Sequence, residues 1–450
     1  MSTIGASDVP GGIQTFAPLR PAVPEAVPRE TRPYLAALAA TATFVLGLNY
    51  RVGGFLPVAL PLLVDLATLW LSEERRYRGG PLVVFGGLLA VLSGYWLIRI
   101  VTGIDHELDE RAGMATGLAY VVAFLGVGFL LWARSVLGVP ATALAYALGV
   151  LASTAAFQAG ATDNPWKFAY SWPVIVIVLA ACALKRSHHA AVVLLLVLAA
   201  FSAASDARSL MGICLATAAL VLWQRRPGAG SHALARRGST LVLLAVMAYA
   251  GYSVVTSLLL GGALGDETRE RTQAQIERSG NLLTGGRPEW SATIALMRDQ
   301  PEGFGLGAVP NFHDVATAKT GLAPLNIPTI EGYVDNYMLG PQFTLHSVVA
   351  DMWASLGVVG LVVALAVVCL LIGSLVRGIT AREASALVVF LGLMGLWDLG
   401  FSSTFSVLVR LTLAIAVLLT VRAGSTAPWQ ESPQTSPSLE GGDDAAHVHR

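Results

Sequence analysis

Four short stretches carry the residue types that could do chemistry. His346 stands in FTLHSVVADMW, where a polar stretch gives way to an apolar run. A histidine at such a boundary can exchange a proton near neutral pH while facing a partly desolvated cavity. Arg287 follows two glycines in GGRPEW (285–290), and Pro288 after it suits the first position of a helix. A guanidinium beside helix-end amides favours an anion such as phosphate. Arg208, in FSAASDARSLMG (201–212), lies between two apolar runs and next to Asp206. A charge so close to hydrocarbon is costly unless it pairs, snorkels or serves a site. PEGFGLG (301–307) sets glycines at alternate positions, which lets the backbone approach a ligand or bend tightly. It is not a dinucleotide fingerprint, because no βαβ pattern surrounds it.

The elements that must position these residues are membrane helices. The chain has 450 residues, of which 54% are hydrophobic and only 13% charged, with a mean hydropathy of +0.63. That is too apolar for an ordinary soluble protein and fits a polytopic membrane protein. The 29 basic and 29 acidic residues cancel, leaving no basic field to attract nucleic acid. Cys182, Cys214 and Cys369 sit singly inside apolar runs, so neither a disulfide framework nor a zinc site is indicated.

Twelve apolar spans are expected, at 34–49, 54–71, 81–103, 115–133, 136–157, 169–184, 189–205, 208–223, 239–260, 346–376, 384–400 and 403–422. A crossing needs about 20 apolar residues. The first 33 residues and residues 423–450 are polar and rich in proline, serine or glycine, and read as disordered tails. The first 33 show no cleavable signal pattern. With the N-terminus inside, Arg75, Arg76, Arg78, Arg134, Lys185, Arg186, Arg225, Arg226, Arg236, Arg237, Arg377 and Arg382 fall on the cytoplasmic side. Short outer connections keep only Arg51, Arg99, Arg111, Lys167 and Arg208. Both tails are then cytoplasmic. The bundle divides into nine spans over 34–260 and three over 346–422, and the polar segment 261–345 lies outside the membrane. So long a connection is expected to be functional. Within it, 267–279 has the composition of an exposed helix, with Glu267 four residues before Arg271. A second helix, from Pro288 to Asp299, carries Trp290, Ile294 and Met297 on one face and is amphipathic.

At these residues the chain resembles the O-antigen ligase and polymerase family of bacterial membrane glycosyltransferases. The likeness covers roughly 201–361. It rests on SDARS at the outer end of a helix, on Gly286, Arg287, Trp290, Pro301, Gly303, Gly305 and Gly307 in order, and on His346 followed by Leu356, Gly357, Gly360 and Leu361, with one large outer loop late in the chain. Ser347 and Ser355 depart from the family pattern, which has asparagine after the histidine and an acidic residue before the LG. Asp351, one turn after the histidine, is the candidate to take over a polar role.

The resemblance implies an all-α bundle of about twelve helices, similar to the GT-C glycosyltransferases, in the bacterial cytoplasmic membrane. It also implies transfer of a glycan from a polyprenyl-pyrophosphate carrier, such as undecaprenyl pyrophosphate, to a hydroxyl acceptor on the outer face, with no cofactor and no required metal. His346 would be the general base of an inverting transfer, and Arg208 and Arg287 would bind the pyrophosphate. Asp351, Trp290, Gly286, Gly305 and Gly307 would support them. Ligase and polymerase differ only in acceptor, and both stay open.

Plainer readings stand beside these. His346 could be a helix-start histidine satisfied by Thr344 or Asp351, Arg287 a solvated loop residue, and Arg208 the surface partner of Asp206. His313, Asp314 and Lys319 read as loop surface, and His188 and His189 as part of the cytoplasmic basic cluster. Asp398 either answers an arginine or ends a helix. Trp290, Trp353 and Tyr337 could stack on sugars, although interfacial anchoring is the commoner use of Trp and Tyr. The rival class is a transporter or flippase, which would need ionisable residues deep in the spans and paired interrupted helices. The span centres show little charge, with Asp65 the main candidate.

Overall fold

The computed structural model describes residues 32–102, 105–157, 162–225, 288–325 and 332–422, with the single positions 238, 240, 242 and 273. The chain is predominantly α-helical. Among the described residues five helices are long and apolar enough to cross a membrane: Leu82–Ile100, Glu110–Leu137, Val139–Phe157, Trp166–Leu184 and Val348–Ala381. Five shorter apolar helices accompany them: Arg32–Leu48, His188–Ala204, Arg208–Gln224, Ala386–Phe401 and Thr404–Leu418. At 1.5 Å per residue, helices of this shorter class reach about 25 Å at most, under the hydrocarbon thickness of about 30 Å.

The helices are labelled in chain order. They are α1 (Arg32–Leu48), α2 (Ala59–Asp65), α3 (Ala67–Trp70), α4 (Gly87–Leu97), α5 (Glu110–Leu137), α6 (Val139–Phe157), α7 (Ser171–Leu184), α8 (His188–Ala204), α9 (Arg208–Gln224), α10 (Glu289–Asp299), α11 (Phe312–Leu322), α12 (Val348–Ala381), α13 (Ala386–Phe401) and α14 (Thr404–Leu418). Their composition explains their setting. Helix α4 exposes Leu89 and Leu92, α8 exposes Val193 and Val197, and α12 exposes Val358 and Val362, while other faces of the same helices are buried. Helices apolar on every side suit a lipid surround, where outward side chains need no water.

The second expected span, 54–71, is not one helix. A two-stranded ribbon (β1, Arg51–Val52; β2, Leu56–Pro57) leads into α2 and α3, which part at Leu66. Pro57 ends the ribbon, and Pro61 sits in the first turn of α2, where its missing N–H costs nothing. The twelve residues of the pair span about 18 Å, too little for a crossing. The ninth expected span (239–260), the expected helix at 267–279 and both tails lie outside the described residues.

Helix α12 packs along α4, α14 along α5, and α13 between α14 and α9, while α6 packs on α7 and α8 on α9. Backbone polar groups at helix ends are covered. Asp109 caps α5 by accepting from Ala112 N–H at 2.9 Å. Arg134 donates to the carbonyls of Ala416, Val417 and Leu419 at 2.7, 2.9 and 2.8 Å, and so satisfies the end of α14.

The described part of the long connection is packed. Ala292 and Leu296 of α10, Phe304, Ala318 and Leu322 of α11, Val334 and Met338 form a small core that continues into Ala350, Trp353 and Ala354 of α12. Asn311 opens α11 with a capping box to Asp314. The helix expected from Pro288 is present as α10, but its inner face differs from expectation. Glu289, Ala292, Thr293 and Leu296 are buried, whereas Ile294 is exposed. Trp290 and Met297 of the expected face are half-buried, Met297 packing on this same core, so only Ile294 of the three is exposed.

Candidate functional site

Helix α12 begins with Ser347 as its cap, which accepts from Ala350 N–H at 3.4 Å and donates to the Leu399 carbonyl at 3.0 Å. That second bond ties the helix start to the end of α13. His346, just before the cap, adopts a left-handed backbone with φ of 54°. A non-glycine residue there is uncommon and points to an imposed geometry. Its half-buried ring stacks on Tyr337, with centroids 4.2 Å apart and planes 10° apart. Tyr337 in turn meets Tyr333, whose hydroxyl bonds Glu289 Oε1 of α10 at 2.5 Å. The histidine thus sits where the packed connection meets the bundle.

Asp351 lies one turn further on and is buried. Its Oδ1 accepts from Leu345 N–H at 2.7 Å and its Oδ2 from Thr404 N–H at 2.8 Å. It therefore holds the backbone entering His346 against the first turn of α14. This is a positioning role. Ser355 turns inward, donating to the Asp351 carbonyl at 2.6 Å with its hydroxyl 3.3 Å from that of Tyr120.

The glycine run serves packing. Gly303, Gly305 and Gly307 have φ of 89°, 95° and 84°. A Cβ on Gly305 would stand 2.7 Å from Ile98 N, and one on Gly307 would stand 2.6 Å from Asp109 O. The segment is wedged between α4 and α12. Phe304 and Gly305 donate to the Ala354 carbonyl at 2.8 and 2.9 Å, and Leu306 donates to the Gly94 carbonyl at 3.2 Å. The Ala354 carbonyl is available because α12 breaks at Gly357, whose φ of 71° interrupts the helical ladder. Of the two uses open to this run, the tight bend is the one observed, and the approached surface is protein.

Trp290 donates its indole N–H to the Gly400 carbonyl at 3.1 Å, docking α10 on the end of α13. Trp353 is buried, donates to the Pro301 carbonyl at 2.9 Å and meets Phe304 edge-on. It is a core residue and cannot stack on a sugar. Tyr337 remains exposed.

Arg208 opens α9 and pairs with Asp206, Nε to Oδ1 at 3.0 Å, while Lys167 reaches the other oxygen at 3.3 Å. Burial pushes the Asp206 carboxyl upward. The Lys167 hydrogen bond and the charges of Lys167 and Arg208 outweigh it, holding the group below its usual range. Arg287 and Gly286 lie outside the described residues.

One buried contact escaped the sequence reading, and one of the alternatives left open for Asp398 found its partner. Asp314 is buried rather than on the loop surface, 2.9 Å from His106 Nε2 on the connection before α5. His313 is exposed as expected and pairs with Asp299, and Lys319 pairs with Asp335 at 2.9 Å. Inside the bundle, buried Asp398 of α13 answers Arg410 of α14, which donates to Oδ1 at 3.0 Å with its Nε 2.8 Å from Oδ2. Arg410 is a charge seven residues into an expected span, and it was the readable signal that Asp398 has a partner across the bundle.

Compared with known protein families, with characterised proteins and with solved structures, the chain matches none.

Proposed function

We propose that the protein is a membrane glycosyltransferase of the O-antigen ligase type, moving a glycan from a polyprenyl-pyrophosphate carrier to a hydroxyl acceptor at the outer face of the bacterial cytoplasmic membrane. The observation that supports this reading is His346, fixed in a left-handed backbone at the start of α12 and stacked on exposed Tyr337, beneath a packed connection. In this reading neutral His346 takes the proton of the acceptor hydroxyl as its oxygen attacks the anomeric carbon. The bond from that carbon to the pyrophosphate oxygen breaks, the configuration inverts, and the lipid pyrophosphate leaves with the electron pair. Arg208 and Arg287 stabilise its growing charge. A general base of this kind contributes about 10² to 10⁴ in rate. A polymerase of the same family would use the same chemistry with a glycan acceptor.

The test is purified protein in lipid, supplied with a polyprenyl-pyrophosphate glycan pool extracted from the host. Wild type should release carrier pyrophosphate and form a new conjugate, and His346→Ala should lose at least a hundredfold in rate. One conjugate marks a ligase, and a ladder of longer lipid-linked chains marks a polymerase. Undiminished transfer by His346→Ala would remove the base assignment.

A second reading, a transporter or flippase, is favoured by the intramembrane pair Asp398–Arg410 and by the break of α12 at Gly357. Movement of donor between leaflets without carrier release would select it.

A further inference from the structure

Helices α2 and α3 are together too short to cross a membrane, yet with the ribbon before them and the turn after them, residues 51–77 follow α5 for most of its length. The Gly53 carbonyl accepts from Arg111, in the first turn of α5, at 3.5 Å. The Trp70 ring lies against Gly128, where an added Cβ would stand 2.7 Å from it. The Tyr77 hydroxyl donates to the Leu131 carbonyl at 3.3 Å. Helix α5 is itself long and apolar enough to cross. Asp65 comes five residues before Trp70, about 7.5 Å at 1.5 Å per residue, which sets it level with the middle of α5.

Asp65 ends α2, just before the parting at Leu66. It is exposed, and among the described residues no hydrogen bond or ion pair reaches its carboxylate. Pro61, Val64, Thr68 and Leu71 are also exposed, and their spacing of three and four residues puts them on one face with it. Leu63 and Trp70 are buried, where the pair packs on α5. The outward stripe is thus apolar, except for a hydroxyl and a carboxylate at its centre. Aspartate is too short to snorkel from mid-depth to the membrane surface as lysine and arginine do. An ionisable residue inside a membrane is retained where it has a partner or lines a site.

We propose that the Pro61–Leu71 face is the docking surface for a transmembrane helix of a second membrane protein, one that carries a lysine or arginine at the same depth and pairs it with Asp65. Charge decides the occupant. A second copy of this chain meeting the same face would set carboxylate against carboxylate. Within the chain, Arg410 is already committed to Asp398, and the expected span at 239–260, outside the described residues, has no lysine, arginine or histidine. Lipid covers Val64 and Leu71 but supplies no cation at mid-depth. A helix with one basic residue meets both needs, because its own charge in hydrocarbon is as costly alone as that of Asp65. The surface stands apart from glycan transfer, since association is read without donor or acceptor.

The experiment uses the full chain in lipid nanodiscs and dye-labelled leucine-rich transmembrane peptides of about 20 apolar residues, with association read by energy transfer to a dye on the protein. A peptide with one central lysine should associate at least tenfold more tightly than its all-leucine counterpart. Moving the lysine two turns towards either end should weaken it, because the pairing depth is then wrong. Asp65→Asn and Asp65→Leu should erase the preference for lysine, and Asp65→Lys should transfer it to a peptide with a central aspartate. If the charge-reversed chain fails to insert, the peptide series on wild type and the Asp65→Asn variant still decide. Equal association of the lysine and leucine peptides, or a lysine preference that survives in Asp65→Leu, would overturn the proposal. A wild-type preference for the aspartate peptide would also overturn it, by showing that two carboxyls share a proton and that a second copy is the occupant.

Discussion

The Asp351 carboxylate accepts the backbone N–H of Thr404 at 2.8 Å, so a buried acid of α12 grips the first residue of α14. Its other oxygen holds Leu345 N–H at 2.7 Å, one residue before the candidate base. Asp351→Asn keeps one acceptor oxygen and places an amide NH₂ where the second stood. One buried backbone donor is then unpaired, which costs about 1–3 kcal/mol. The expected result is a lower unfolding temperature with glycan transfer reduced through kcat. The pH profile should keep its shape, since Asp351 positions the histidine and does not exchange the proton. Unfolding at the wild-type temperature would show that the clamp contributes nothing.

Gly305 and Gly54 make a matched comparison. Both have positive φ, 95° and 79°, but a Cβ on Gly305 meets Ile98 N at 2.7 Å, whereas one on Gly54 meets nothing within 4 Å. Gly54→Ala carries only the backbone strain of a left-handed alanine, about 1 kcal/mol. Gly305→Ala adds overpacking, worth about 1–3 kcal/mol more, and pushes the 301–307 segment out from between α4 and α12. Thermal unfolding in detergent should rank Gly305→Ala well below Gly54→Ala. Equal midpoints would mean that the wedge is loose.

Where each helix runs was legible because an apolar run of membrane length has few other outcomes, and most of the expected spans that fall within the described residues coincide with helices to within a few residues. The exception, 54–71, contains Pro57 and Pro61, and hydropathy alone is blind to the backbone geometry they impose. The site was legible only in part. His346 could be placed at a helix start because its flanks change from polar to apolar. Its left-handed φ and its stacking on Tyr337 depend on contacts across nine residues of irregular chain, which periodicity does not encode. Asp314 was misread as surface because its partner, His106, is more than two hundred residues away.

Arg208 has two candidate roles, partner of Asp206 or ligand of an anion, and Asp206→Asn separates them. The Asp206 carboxyl is held below its usual range, so its contribution is fully present above the ordinary carboxylate value of about 3.9. It fades as pH falls through the lower folded value. The pair is largely exposed, and its worth is at most about 1 kcal/mol. At neutral pH Asp206→Asn should leave folding nearly unchanged and free the guanidinium. If Arg208 binds the donor pyrophosphate, Asp206→Asn preserves or tightens donor binding while Arg208→Ala weakens it at least tenfold. Indistinguishable binding by the two variants would make Arg208 a surface partner only.

The Asp398–Arg410 pair tests whether charge inside the bundle is structural or belongs to a pathway. Asp398 is fully buried, and Ser402 also donates to it, at 2.9 Å. Arg410→Leu leaves that carboxylate without its cation, and breaking such a pair costs about 3–5 kcal/mol. Replacing both partners, as Asp398→Leu with Arg410→Leu, removes the stranded charge along with the attraction, and a well-packed apolar substitute is often neutral. The single variant should therefore insert poorly or unfold early, while the double variant regains most of the wild-type midpoint. Glycan transfer by the double variant then decides the role. A structural pair predicts transfer near the wild-type rate. A double variant that is as stable as wild type yet moves no donor and transfers no glycan would place the pair on the route of the substrate, and would shift the weight of the structure towards transport.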